Sequence, residues 1–218
     1  MKISKKKFVL IALFIFPLLF FLVLSTGINR FVKLPVLTSN VDLKELEDLQ
    51  SVSLNDQVTV LCFLGNDIKN KKGGFFNLNQ KIYKEFYDYR AFQIIVIYPE
   101  EVPNEVSKLK SDLGAFTDMS KWKFIPFSKE DISLLFSRLG TVGALDANFY
   151  SKRVYILDKE KNLRGRTDDK DSTNGVLFGY NIQSVAELNN KMEDDIKVLL
   201  YEYRAAFKNK NNPNRKDE

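Results

Sequence analysis

The sequence predicts an α/β domain, a mixed sheet flanked by helices, carried behind one N-terminal transmembrane helix. Three observations predict it. An unbroken apolar run, Phe8 to Leu24, follows a lysine-rich start. Beyond it, short β-rich runs alternate with stretches of helical periodicity, the pattern of a mainly parallel sheet covered by helices. Two later β runs, separated by Lys159-Glu160-Lys161-Asn162, read as a hairpin that adds an antiparallel edge.

Lys2, Lys5, Lys6 and Lys7 precede the apolar run, and Ser25-Thr26-Gly27-Ile28 follows it. A helix continued through Ile28 reaches roughly 30 Å at about 1.5 Å per residue, enough to cross a hydrocarbon core. Pro17, in its middle, is tolerated in a membrane helix. The lysines are expected to stay cytoplasmic, which places the rest of the chain beyond the cell inner membrane, in the periplasm or its equivalent. A cleaved signal peptide is the competing reading, with Ser25 and Gly27 as small residues near the cut. The length of the run and the missing A-x-A pattern count against it. No cysteine follows the run, so a lipoprotein is excluded.

The remaining elements follow in order. Residues 29–41 read as a juxtamembrane linker, punctuated by Pro35 and Thr38-Ser39-Asn40. Asp42 caps a short helix through Gln50, with Leu43, Leu46 and Leu49 on one face. Gln57–Leu64 is the apolar run of a strand covered on both faces. Gly65 to Gly74 is polar and lysine-rich, a loop. Leu78, Ile82 and Phe86 then recur at helical spacing, giving a helix from about Phe76 to Tyr89. Phe92–Tyr98 is a second strand, and Pro103 opens a helix through Leu113. Trp122–Ile125 is a third strand. Ser128 and Asp131 make a capping-box-like start to a helix through Leu139. In the hairpin of Arg153–Asp158 and Leu163–Arg166, Asn162 is the residue suited to positive φ. Leu188, Met192, Ile196 and Leu200 mark the longest helix, Val185 to Phe207. Residues 208–218 have no apolar face and read as a disordered tail. The domain proper is thus 42–207, behind the anchor at 1–28.

Composition narrows the chemistry. The chain has 218 residues, no histidine and one cysteine. It can supply no imidazole base, no His-ligated metal, no intramolecular disulfide and no Cys-x-x-Cys couple. The expectation is against catalysis. The net charge of +5 belongs to the ends: between Ile28 and Lys208 there are 25 basic and 26 acidic residues. A nucleic-acid binder concentrates positive charge on its folded part, so nucleic acid is not an expected partner.

Strand, helix, strand, helix, strand, helix, hairpin and terminal helix is the outline of a thioredoxin-like domain. Thr59–Asp67, Phe92–Tyr98, Trp122–Gly140, Val154–Gly165 and the ending Asp194–Leu200 resemble the SCO/SenC family, above all its membrane-anchored bacterial members. The resemblance spans residues 41–207. It implies a thioredoxin fold outside the cytoplasm, copper binding, and help in assembling the binuclear copper site of cytochrome c oxidase. The family's Cys-x-x-x-Cys pair follows the first core strand, and Asn66 and Asn70 occupy those two positions here. The family's histidine ligand precedes the strand resembling Val154–Asp158, where this chain has Phe149-Tyr150-Ser151, with Tyr150 at the degenerate ligand position. Copper favours thiolate and imidazole, so neither a metal nor a redox function carries over, and no cofactor is expected. Cys62, set in an apolar strand, reads as a core residue.

Other patterns carry two readings each. Lys69, Lys71 and Lys72 beside Gly73-Gly74 suggest a crude anion site or a solvated loop. Asp168-Asp169-Lys170-Asp171 suggests calcium, but lacks the twelve-residue ligand pattern and reads as a charged hairpin exit. Tyr83, Phe86, Tyr87 and Tyr89 form a cluster that is mostly core, and any exposed member is a partner-contact candidate. Lys2 to Lys7 could meet anionic lipid, though orienting the anchor accounts for them. The function expected is a membrane-anchored, extracytoplasmic, non-catalytic binding or assembly factor with a protein partner. The alternatives are a thiol-dependent redoxin using Cys62 and a structural envelope interaction protein.

Overall fold

The computed structural model describes residues 5–25, 33–49, 52–172 and 174–211, in two units divided after Val32. The first holds α1 (Lys5–Ser25), a 21-residue helix that continues through Pro17. Its described side chains from Ile11 to Leu22 are all exposed. Among the described residues, no helix is long and apolar enough to cross a membrane. The side chains of Phe8–Leu10 and Val23–Leu24, which the expected span needs, lie outside the described ones, as do Lys2 and residues 26–32.

The second unit begins with β1 (Val36–Thr38) and α2 (Lys44–Glu47). β2 (Val58–Phe63) leads into α3 (Ile68–Leu78), a π-helical turn at Asn79–Tyr83 and α4 (Lys84–Phe86). β3 (Phe92–Pro99), α5 (Pro103–Gly114), β4 (Trp122–Phe127) and α6 (Lys129–Arg138) follow. β5 (Arg153–Leu157), β6 (Leu163–Arg164) and β7 (Tyr180–Asn181) precede α7 (Val185–Glu187), a second π turn at Leu188–Met192 and α8 (Glu193–Asn211).

The strand order is β1-β6-β5-β2-β3-β4, with β7 paired to the start of β5. β2, β3 and β4 run parallel, and β5 and β6 are antiparallel additions on the other side of β2. A parallel β-α-β unit joined through its first strand to an antiparallel hairpin is the thioredoxin-like arrangement. Side chains alternate across a strand, so β2 and β3 feed two cores. Val58, Val60, Cys62, Ile94 and Val96 meet α3, α5 and α8 on one face. Leu61, Phe63, Ile95 and Ile97 meet α6 and the short α2 on the other. Both faces are covered, which is why β2 and β3 read as apolar runs with little alternation.

Several expectations need correction. The polar stretch Gly65–Gly74 is not a loop throughout, because helix begins at Ile68. Gly73 and Gly74, at the end of that stretch, sit inside α3, and a Cβ on Gly74 would lie 2.7 Å from Ile182 Cγ1. Residues 36–38 of the expected linker form an edge strand on β6. Asp42 does not cap α2: Leu43 occupies that position without a side-chain bond, and the helix ends at Glu47. In the hairpin, Lys161 takes the positive φ of 63°. Asn162 instead donates its N–H and Nδ2 to the Asp158 carboxylate. α8 runs on to Asn211, beyond Phe207, and residues 212–218 of the expected tail lie outside the described residues.

A buried ion triad ties the ends of this unit together. Arg164 donates to Asp158 Oδ2 at 2.9 Å, to Glu202 Oε2 on α8 at 2.7 Å and to the Leu34 carbonyl at 2.8 Å. The Leu34 N–H returns a bond to Glu202 Oε1.

The two glycines of α3 should respond in opposite directions to alanine. Nothing within 4 Å opposes a Cβ at Gly73, so Gly73→Ala should stabilise by about 0.5–1 kcal/mol. Gly74→Ala gains the same propensity but must displace Ile182, and should destabilise by about 1–2 kcal/mol net. Urea unfolding of the two variants beside the parent chain checks both signs.

Candidate functional site

β2 leaves the sheet at Leu64, which bridges to Tyr150. The next residue, Gly65, has φ +68°, and a Cβ there would stand 2.4 Å from the Asn148 carbonyl oxygen. Glycine is therefore required for this crossing. The Asn66 N–H then donates to that same carbonyl at 3.0 Å. Opposite, Asp146 organises the loop before β5: its Oδ1 accepts from the N–H groups of Asn148 (2.8 Å) and Tyr150 (3.0 Å). Between them Phe149 holds φ +60°, a conformation costly for a bulky residue and characteristic of places where surrounding structure over-determines the backbone.

Tyr150 is buried against Cys62 and the α3 core. Lys71, on the first turn of α3, places Nζ 4.9 Å from the Tyr150 ring centroid and 3.9 Å from Asp146 Oδ2. Gln183 Nε2 approaches the phenol oxygen at 3.5 Å. Burial pushes the Tyr150 hydroxyl up to about 12; the Gln183 bond opposes that, while the negative charges that Asp146 and Cys62 can carry add to it. Asn70 turns its amide to its own neighbour, donating to Asp67 Oδ1 and Oδ2 at 2.9 and 3.1 Å. The fold thus joins Asn66 to the Tyr150 segment through backbone and Tyr150 to α3 through Lys71, while the Asn70 side chain is engaged locally.

Copper does not fit this donor set. Soft thiolate is wanted for Cu(I), and imidazole or thiolate for Cu(II). The corner offers amides, a phenol held protonated and a lysine ammonium. Cys62 is fully buried within β2, and burial raises its thiol well above its ordinary value. Among the described residues no three His, Cys, Asp or Glu side chains gather as a metal would require.

The remaining candidates disperse. Lys71 serves Tyr150 and Asp146, Lys72 reaches Asp112 at 3.4 Å, and Lys69 is exposed, so the three lysines do not converge. Asp169 is buried, and Lys191 bridges it to Asp171. Of the aromatic cluster, Tyr83 and Phe86 are core and Tyr89 is half-buried, while Tyr87 is 40% exposed. Tyr87 lines a cleft of about 430 Å³ with Lys84, Phe116 and Asp118, and Phe116 is 59% exposed. Asp146 and Gln183 escaped the sequence reading. The spacing Asp146-x-Asn148 is an Asx-turn signal that could have found the first. Gln183 reaches the corner only through tertiary packing.

No family model matches this chain, and no curated protein matches it. Among solved structures, the fold is similar to BsSco, a member of the Sco family of cytochrome c oxidase assembly proteins, with TM-score 0.48 and 13% identity over 76% of this chain and 94% of that one. A SCO1/SenC family lipoprotein from Bacillus anthracis str. Ames has TM-score 0.46 and 17% identity over 78% and 96%. A protein described as a disulfide isomerase from Bacteroides thetaiotaomicron has TM-score 0.46 and 17% identity over 82% and 94%.

A tyrosine with a raised folded pKa favours its protonated form in the folded state. Its contribution to stability is complete below the unfolded value near 10 and is lost as pH rises towards the folded value of about 12. Tyr150→Phe cannot ionise. The stability difference between parent and variant should therefore be constant below pH 10 and shift in favour of the variant between pH 10 and 12. Denaturant unfolding of both proteins across that range checks it, and a difference independent of pH would count against the assignment.

Proposed function

We propose that this chain is a membrane-anchored, extracytoplasmic protein of Sco-like thioredoxin fold that works as a non-catalytic binding or assembly factor. One observation carries this reading. The single thiol is sealed inside the central strand, and the corner where β2 gives way to α3 presents Asn66, Tyr150 and Lys71 instead of soft ligands. Exchange chemistry needs an accessible thiolate, and burial disfavours the thiolate of Cys62.

The apolar run of α1 and the lysines before it support retention as an inner-membrane anchor. An anchored domain meets membrane partners at a raised effective concentration. Its partner is proposed to be a protein, with exposed Tyr87 and Phe116 as the contact aromatics. The sequence resemblance makes respiratory oxidase biogenesis the setting in which to seek that partner.

Thiol labelling of the folded, full-length protein in its native membrane tests the reading. Cys62 should resist a small maleimide at neutral pH and react fully once the chain is denatured. Rapid modification of the folded protein would instead favour a redoxin-like enzyme built on Cys62.

A further inference from the structure

The sheet face that packs on α6 is apolar along most of its length, carrying Leu61, Phe63, Ile95, Ile97, Ile125 and Phe127. Its strand-entry corner breaks that rule. Register pairs Thr59 with Gln93 and Ile95 with Lys123, so alternation sets Thr59, Gln93 and Lys123 on this same face, with Lys121 in the turn just before β4. Gln93 is only 3% exposed, and its Nε2 donates to the Ser53 carbonyl at 2.7 Å and to Thr59 Oγ1 at 2.8 Å. A small cleft of about 170 Å³ opens beside it, lined by Lys121, Lys123 and the exposed Arg90.

The electrostatics of this cleft are one-sided. The Lys121 ammonium donates to the Tyr89 carbonyl, which fixes its position. Asp118 is engaged with the Ser120 N–H and hydroxyl, and Asp88 is the acid whose field reaches Lys121. Burial lowers the ammonium pKa of Lys121 and of Lys123, so both cations stand where charge is poorly solvated. A bound anion would offset the cost of keeping lysines there.

We propose that this corner is a binding site for a phosphate-type oxyanion, with Arg90 supplying a two-pronged donor and Lys121 and Lys123 supplying point charges. Arginine matches oxyanion geometry and lysine adds charge-assisted bonds. The volume suits a single phosphate group and is below the range typical of larger organic ligands. Inorganic phosphate and the headgroup of an anionic phospholipid share the required chemistry. The site lies at the start of the parallel strands, whereas Asn66 and Tyr150 lie where β2 ends.

Binding is followed by isothermal titration calorimetry, because the sole tryptophan, Trp122, turns into the opposite core and does not line the cleft. The full chain in a neutral detergent is titrated with inorganic phosphate at constant ionic strength, with chloride as the reference anion. The expected result is a saturable heat of phosphate binding that chloride does not reproduce. Its midpoint should rise about tenfold in Arg90→Gln and in Lys123→Gln, and stay unchanged in Lys152→Gln, an exposed lysine before β5. Lys123→Arg keeps the charge and should retain binding, which separates loss of the site from loss of the fold. Phosphatidylglycerol vesicles, with phosphatidylcholine vesicles as control, distinguish the sources. Competition by the anionic vesicles alone supports a lipid headgroup, and phosphate binding without competition supports a soluble phosphate. A response shared by chloride and phosphate, or identical in Lys123→Gln and the parent, would overturn the proposal.

Discussion

Everything in the second unit is arranged around a strand that cannot be moved. All six residues of β2 are buried, with β3 parallel on one side and β5 antiparallel on the other. Helices cover both of its faces. Alternation then decides the fate of Cys62: it points into the same core as Val58, Val60 and the apolar face of α3. The thiol is consequently a packing group. The same strand also delivers Gly65 and Asn66 to one place, the turn facing Asn148, so the chemistry of that corner follows from what the next few residues carry.

Polar networks hold the coverings in position. Arg164, Asp158 and Glu202 join the entry segment at Leu34, the hairpin and α8. Burying three charges is costly, and the gain in stability over an apolar replacement is small. What the triad contributes is the specificity of those connections. A second network, in which Tyr180 donates to Asp195 at 2.6 Å and Arg166 to the same carboxylate at 2.7 Å, fixes α8 against β7. β7 in turn leads to Ile182 and Gln183, whose side chains meet Gly74 of α3 and the Tyr150 phenol. The corner is thus held by elements distant in sequence.

Much of this was legible from residue pattern. β2 and β3 announced themselves as apolar runs, and α5, α6 and α8 by periodicity and capping; Ser128 indeed accepts from the Asp131 N–H. What escaped was set by partners remote along the chain. β1 is three residues long, and its neighbour Arg164 lies 130 residues beyond Leu34. Gly65–Gly74 read as a loop from its polar, lysine-rich composition, and Ile182, the reason for Gly74, is invisible to local reading. Asn66, Asn70 and Tyr150 were placed by family resemblance alone, and the structure adds the linkage of Lys71 and Asp146. The polar corner at Gln93 and Lys123 looked like part of two ordinary strands until register set the residues side by side.

The central claim is that the corner where β2 gives way to α3 carries amides, a phenol and an ammonium, donors that do not suit copper. The most direct measurement is competition for Cu(I) between the full-length chain and a chelator, followed by metal analysis of the recovered protein. The expected result is that no stoichiometric copper stays with the chain. Retention of one copper per chain, lost on replacing Asn66 or Tyr150, would contradict it.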